Sequence, residues 1–66
     1  MLIRLNGAET EVPDDLSMSL LLETLDLGGA RFAVEVNEEI LPRSQFDRYR
    51  LAPLDRVEII QAVGGG

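Results

Sequence analysis

The sequence predicts an α+β fold, a mixed four- to five-stranded sheet with one helix packed across it. Three observations predict it. An Asn6-Gly7 pair separates two short runs in which apolar and polar residues alternate. A leucine-rich stretch then repeats at helical spacing. Two further alternating runs, rich in Val and Ile, follow in the second half of the chain.

Residues 1–12 read as a hairpin. Asn and Gly both accept the positive φ that a type I′ turn requires at its two central positions. A two-residue loop fixes the register, so Leu5 opposes Ala8, Ile3 opposes Thr10 and Met1 opposes Val12 on one mostly apolar face. Arg4 opposes Glu9 on the other face, an opposite-charge pair worth about a few tenths of a kcal/mol.

Pro13-Asp14-Asp15 breaks the hairpin and leads into a helix over residues 17–26. Ser17 is the expected N-cap, its hydroxyl accepting from an amide of the first turn. Met18, Leu21, Leu22 and Leu25 fall at i, i+3, i+4 and i+7, one apolar stripe. Leu16 and Leu21 occupy the two positions of a hydrophobic staple. Asp14 and Asp15 precede the positive end of the helix dipole, and Gly28-Gly29 ends the element.

Residues 32–37 form a third strand, with Phe32, Val34 and Val36 on one side and Ala33, Glu35 and Asn37 on the other. Asn37-Glu38-Glu39 is a polar turn. Ile40-Leu41 is a short strand stopped by Pro42, which has no N–H for a ladder. Residues 44–50 form a helical turn whose Phe46 and Tyr49 close the open end of the core. Ala52-Pro53-Leu54-Asp55 is a turn into the last strand, residues 56–62. There Val57 and Ile59 face the core and Ile60 faces solvent; with Ala62 it is the candidate partner contact. A hairpin, a crossing helix and a right-handed return parallel to the hairpin make a β-grasp layout. It divides the chain into a domain, 1–62, and a flexible C-terminal glycine tail, 63–66.

Composition narrows the chemistry. A 66-residue chain buries only about 60% of its unfolded surface. It has no Cys and no His, so neither disulfide nor zinc site supports it, and the 45% of hydrophobic residues must supply the core. The same absences remove the cysteine nucleophile, the histidine base and the Ser-His-Asp triad. No apolar run approaches the ~20 residues that span a bilayer, and the N-terminus does not read as a signal peptide, so a cytoplasmic protein is expected. A net charge of −6 disfavours nucleic acid and anionic membrane, and suits a basic protein partner as well as simple solubility. All six basic residues are Arg.

The sequence closes on Gln61-Ala62-Val63-Gly64-Gly65-Gly66. Three glycines bury nothing and lose the most backbone entropy on ordering. Without Cβ atoms the segment is only as thick as its backbone. Its four residues beyond Ala62 reach about 13 Å at ~3.3 Å each. Such a thread offers its terminal carboxylate to another protein's catalytic centre while the domain stays outside. A frayed terminus has the same composition.

Ala33-Val34-Glu35-Val36-Asn37, Glu39-Ile40-Leu41-Pro42-Arg43, Asp55-Arg56-Val57-Glu58-Ile59-Ile60 and Ala62-Val63-Gly64-Gly65-Gly66 resemble the ThiS family of ubiquitin-like sulfur carriers. The resemblance spans essentially the whole chain. It departs at Leu54, where the family usually has Gly before Asp-Arg. It implies a protein co-substrate, not an enzyme. Gly66 would be adenylated with ATP by a ThiF-type enzyme and then carry sulfur as a thiocarboxylate. A cysteine desulfurase would supply the sulfur, and thiazole synthase of the ThiG type would accept it. Gly65, Gly64 and Val63 would line up in the partner's channel, and no bound cofactor or metal is implied. Asp14/Asp15 and Glu38/Glu39 read as solvated turn carboxylates. Arg43 and Arg56 either pair with nearby carboxylates or anchor a partner. Rival readings are a carrier for molybdopterin or another sulfur metabolite, a ubiquitin-like modifier, and a structural interaction domain.

Overall fold

The computed structural model describes residues 1–27, 29 and 31–61. Its elements are β1 (Leu2–Leu5), β2 (Ala8–Glu11), α1 (Met18–Thr24), β3 (Phe32–Val36), β4 (Glu39–Leu41), a 3-10 turn (Arg43–Gln45) and β5 (Arg56–Gln61). One five-stranded sheet runs in the order β2-β1-β5-β3-β4. The expected β-grasp architecture is present, and residues 62–66, which hold the domain end and the tail, lie outside the described residues.

The hairpin forms as its turn dictates. Asn6 and Gly7 have φ of 51° and 83°. Leu5 faces Ala8, Arg4 faces Glu9 and Ile3 faces Thr10. The expected Arg4–Glu9 pair is corrected in one respect: the Arg4 guanidinium donates to the Gly7 carbonyl at 3.3 Å.

Ser17 caps α1, its Oγ accepting from Leu20 N at 3.2 Å. The helix is shorter than its apolar stripe suggests. Leu25 is extended (φ −99°, ψ 131°), and its N–H closes the last turn on Leu22 O. The chain has therefore left the helix before the expected Gly28-Gly29 stop. Gly29 does take a positive φ of 80°, while Gly28 lies outside the described residues.

The core lies between α1 and one face of the sheet. Met18 and Leu21 of α1 meet Ile3, Val34, Val36, Leu41 and Val57. Leu51 completes this cluster, with Phe46 and Tyr49 half-buried at its edge. The segment carrying them is docked on the start of the helix by Met18 N donating to Tyr49 O at 2.9 Å and Leu51 N to Leu16 O at 2.8 Å.

One feature of the topology differs from the expected return of the chain parallel to the hairpin straight after the helix. The strand beside β1 is β5, parallel to it, and β3 runs antiparallel on the far side of β5. The crossover leaves a gap one strand wide, and the last strand fills it. With Val57 fully buried and a neighbour on each side, β5 is the central strand.

Candidate functional site

The sequence places its chemistry beyond the end of β5, so the site is built from what holds that end. On one side β5 pairs with β3 as far as Ala33 opposite Ile60 and Phe32 opposite Gln61. Phe32 is itself secured. The Arg43 guanidinium donates to Phe32 O at 2.6 Å and lies 4.6 Å from the centre of its ring. The Phe46 ring stacks on the same residue at 6.3 Å. Arg43 thus pairs with a backbone carbonyl and an aromatic face, where a carboxylate or a partner was the expectation.

On its other side β5 outlasts β1. Arg4 N donates to Asp55 O at 2.8 Å and Asn6 N to Val57 O at 2.9 Å, two rungs of the parallel ladder that β1 donates. In such a ladder the next rung would run from Ile59 N to the carbonyl of Asn6. Asn6 instead stands in the left-handed turn conformation, with φ of 51°. The Asn6 side chain replaces that carbonyl, its Oδ1 accepting from Ile59 N at 2.8 Å.

The start of β5 is gripped by the other hairpin turn. Asn37, with φ of 52°, opens the β3–β4 turn. Its N–H donates to Arg56 O at 2.8 Å and its Oδ1 accepts from Arg56 N at 2.9 Å. Its Nδ2 donates to the buried Asp55 carboxylate at 3.1 Å. Asp55 also accepts from Tyr49 Oη at 2.7 Å and Ala52 N at 2.9 Å. Burial, reinforced by the hydrogen bond and the charge of Asp55, pushes the Tyr49 phenol up to about 12. Arg56 pairs with Glu38 at 2.6 Å, an exposed contact.

Among the described residues, nothing covers the outer face of the sheet, opposite α1. Ile60 is 47% exposed there, with exposed Ala33 opposite it on β3. Ile40 of β4, 62% exposed, lies on the same face across Glu35, and Glu58 is opposite Glu35 on β5. The face therefore presents apolar side chains set among carboxylates. A crevice of about 270 Å³ adjoins the end of β5, lined by Asn6, Leu25, Asp26, Leu27, Ile59 and Gln61. A larger groove of about 560 Å³ between β2 and α1 has mainly aliphatic walls.

Of the residues singled out from sequence, Ile60 is where it was expected, and Asp14 lies on the surface beside the Met1 amino group at 3.1 Å. Ala62, Val63, Gly64, Gly65 and Gly66 lie outside the described residues. Among the described residues no group of three His, Cys, Asp or Glu side chains is placed to hold a metal ion, and no helix is long and apolar enough to cross a membrane. The missed residues are Asn6 and Asn37, read as turn formers only. The Asn6 contact joins positions 53 apart, which no local pattern signals.

The ThiS family model matches residues 2–66. The protein ycf40 of Porphyra purpurea is 39% identical over 64 residues, covering 97% of this chain and 90% of that one. A thiazole synthase of Paramagnetospirillum magneticum is 32% identical over all 66 residues, which make up 20% of that protein. The crystal structure of a thiamine biosynthesis protein (ThiS) from Geobacter metallireducens superposes with a TM-score of 0.85 at 33% identity, covering 100% of both chains.

Proposed function

This chain belongs to the ThiS family, and we propose that it is a sulfur carrier protein for thiamine biosynthesis, acted on by partner enzymes and catalysing nothing itself. The observation that carries the proposal is the reach of the family match: it runs through residue 66 and so includes Gly64, Gly65 and Gly66. The carrier chemistry assigns a purpose to three residues that carry no side chain to bury.

The Gly66 carboxylate is a poor electrophile. On a ThiF-type partner its oxygen attacks the α-phosphorus of ATP, the bond to the β-phosphate breaks and pyrophosphate leaves. Sulfur at the oxidation level of sulfide then attacks the acyl carbon. AMP departs with the electron pair of its bond to that carbon, leaving a thiocarboxylate. A cysteine desulfurase is the proposed sulfur source; it holds the sulfur as a persulfide, so two thiols of a reductant must release it at the sulfide level and are themselves oxidised to a disulfide. Thiazole synthase is the proposed acceptor; the likeness to a segment of a protein named thiazole synthase supports that pairing. Gly65, Gly64 and Val63 are the length of chain that enters the partner, and Ile60 with Ala62 meets its rim.

Intact mass tests the proposal. The native chain must end at Gly66, and incubation with the cognate adenylating enzyme, ATP and sulfide must add about 16 Da, the exchange of oxygen for sulfur. Deleting Gly65 and Gly66 should abolish that gain and leave the melting temperature unchanged. A ladder of conjugates to other proteins would instead identify a modifier. For the rim, Ile60→Asp should weaken binding to the adenylating enzyme by about 1 kcal/mol or more, roughly fivefold to tenfold in Kd. Unaltered affinity in titration calorimetry would remove Ile60 from the contact.

A further inference from the structure

We propose that Asn6 is a positioning residue for the carrier reaction: its side-chain oxygen extends the β1–β5 ladder by one rung and so sets the direction in which the chain leaves the sheet toward Gly66. The inference rests on the carrier reading above and assigns a role to a residue in the first hairpin, far from Gly66 in sequence.

The turn alone does not call for this side chain. A type I′ turn needs two residues at positive φ, and Gly-Gly or Asp-Gly supplies them as well as Asn-Gly. What only a short side chain with an acceptor can add is the bond to Ile59 N, made at 2.8 Å. Asn6 therefore acts twice on β5, its backbone N–H holding Val57 O and its Oδ1 holding Ile59 N. By strand alternation the next β5 amide on this side is that of Gln61, beyond the reach of β1, which ends at Leu5. On the β1 side the Asn6 bond is thus the last tie shown before the terminal segment.

A fixed root matters because of leverage. Gly66 lies seven residues beyond Ile59, a reach of about 23 Å when extended at ~3.3 Å each. Once a partner's channel holds the thread extended, a rotation of about 20° at the root displaces the far end of such a span by roughly 8 Å relative to the sheet. Adenylation needs the carboxylate in line with a phosphorus atom, and a misplacement of about 1 Å costs up to ~10²-fold in rate. The partner that grips the outer sheet face near Ile60 must receive the terminal segment at the same time. The root angle is what links those two engagements.

Two substitutions separate the turn from the tie. Asn6→Gly keeps the positive φ and removes the acceptor; Asn6→Asp keeps both. Amide exchange is measured on the free protein, and adenylation is followed as pyrophosphate release with the cognate ThiF-type enzyme and ATP. In Asn6→Gly the Ile59 amide should exchange about tenfold faster, with Val34 and Val57 unchanged. Its kcat should fall about fivefold or more with KM within twofold, and Asn6→Asp should restore both readings. An Asn6→Gly protein with faster Ile59 exchange and the wild-type kcat overturns the positioning role alone. So does a loss spread over all amides, or a fall in kcat that Asn6→Asp fails to restore. A wild-type chain that releases no pyrophosphate overturns the carrier reading and this one with it.

Discussion

The two hairpin turns are built alike and hold β5 differently. Each opens on an asparagine with φ near 51°, and each sends that side chain to a backbone amide of β5. Asn37 grips the start of the strand at Arg56 and also reaches a buried carboxylate, so its contacts belong to a node with Asp55, Tyr49 and Ala52. Asn6 grips the end of the strand at Ile59 through one exposed bond. Under the proposal above, the same local device secures the fold at one end and aims the chain at the other, which would set folding stability and tail presentation at separate places along a single strand.

The largest effect expected from this contrast is at the start of β5. Asn37→Gly keeps the turn and removes two side-chain bonds, one of them to a buried charge. A hydrogen bond to a charged group is worth about 1.5–3 kcal/mol, so a loss of about 2 kcal/mol is expected in urea unfolding. Asn6→Gly, which forfeits a neutral exposed bond, should cost about 1 kcal/mol or less. Equal losses would show that the two turns do the same job.

Most of the scaffold was legible in the sequence because local rules and packing agree there. The Asn6-Gly7 turn, the Ser17 cap, the alternation of Phe32, Val34 and Val36, and the outward Ile60 each follow from residue type and spacing. The turn at Leu54 was legible too. The resemblance leads to the expectation of Gly at this position, and Leu54 adopts φ of 69°. Pro53 before it and Asp55 N donating to Ala52 O at 3.1 Å complete a turn that favours Gly at that position. The site was legible only in part. Ile60 could be placed by alternation, but the Asn6–Ile59 tie requires knowing that β5 lies beside β1. That is a long-range fact, fixed by which strand fills the gap left by the crossover. The early end of α1 at Leu25 was not legible either, since the apolar stripe continues past the point where the backbone extends.

The second residue of each turn gives the smallest and sharpest test. Gly7 has φ of 83° with nothing within 4 Å of where a Cβ would sit, and Glu38 accepts φ of 71° with a side chain in place. A residue with a Cβ in the left-handed region costs roughly 1–2 kcal/mol. Gly7→Ala should therefore cost about 1 kcal/mol through backbone strain alone, since no neighbour is struck. Glu38→Gly should relieve the same strain, but it gives up the exposed pair with Arg56, worth about 0.2–1 kcal/mol, and raises the entropy of the unfolded chain by about 0.5–1 kcal/mol. Those terms nearly cancel, so a change within about 0.5 kcal/mol is expected for Glu38→Gly in low salt. Raising the salt concentration screens the Glu38–Arg56 pair in the parent and should move the variant toward net stabilisation. A salt-independent difference between the two proteins would mean that the pair contributes nothing. Glu38 would then sit in its left-handed conformation without compensation, unlike Gly7, which needs none.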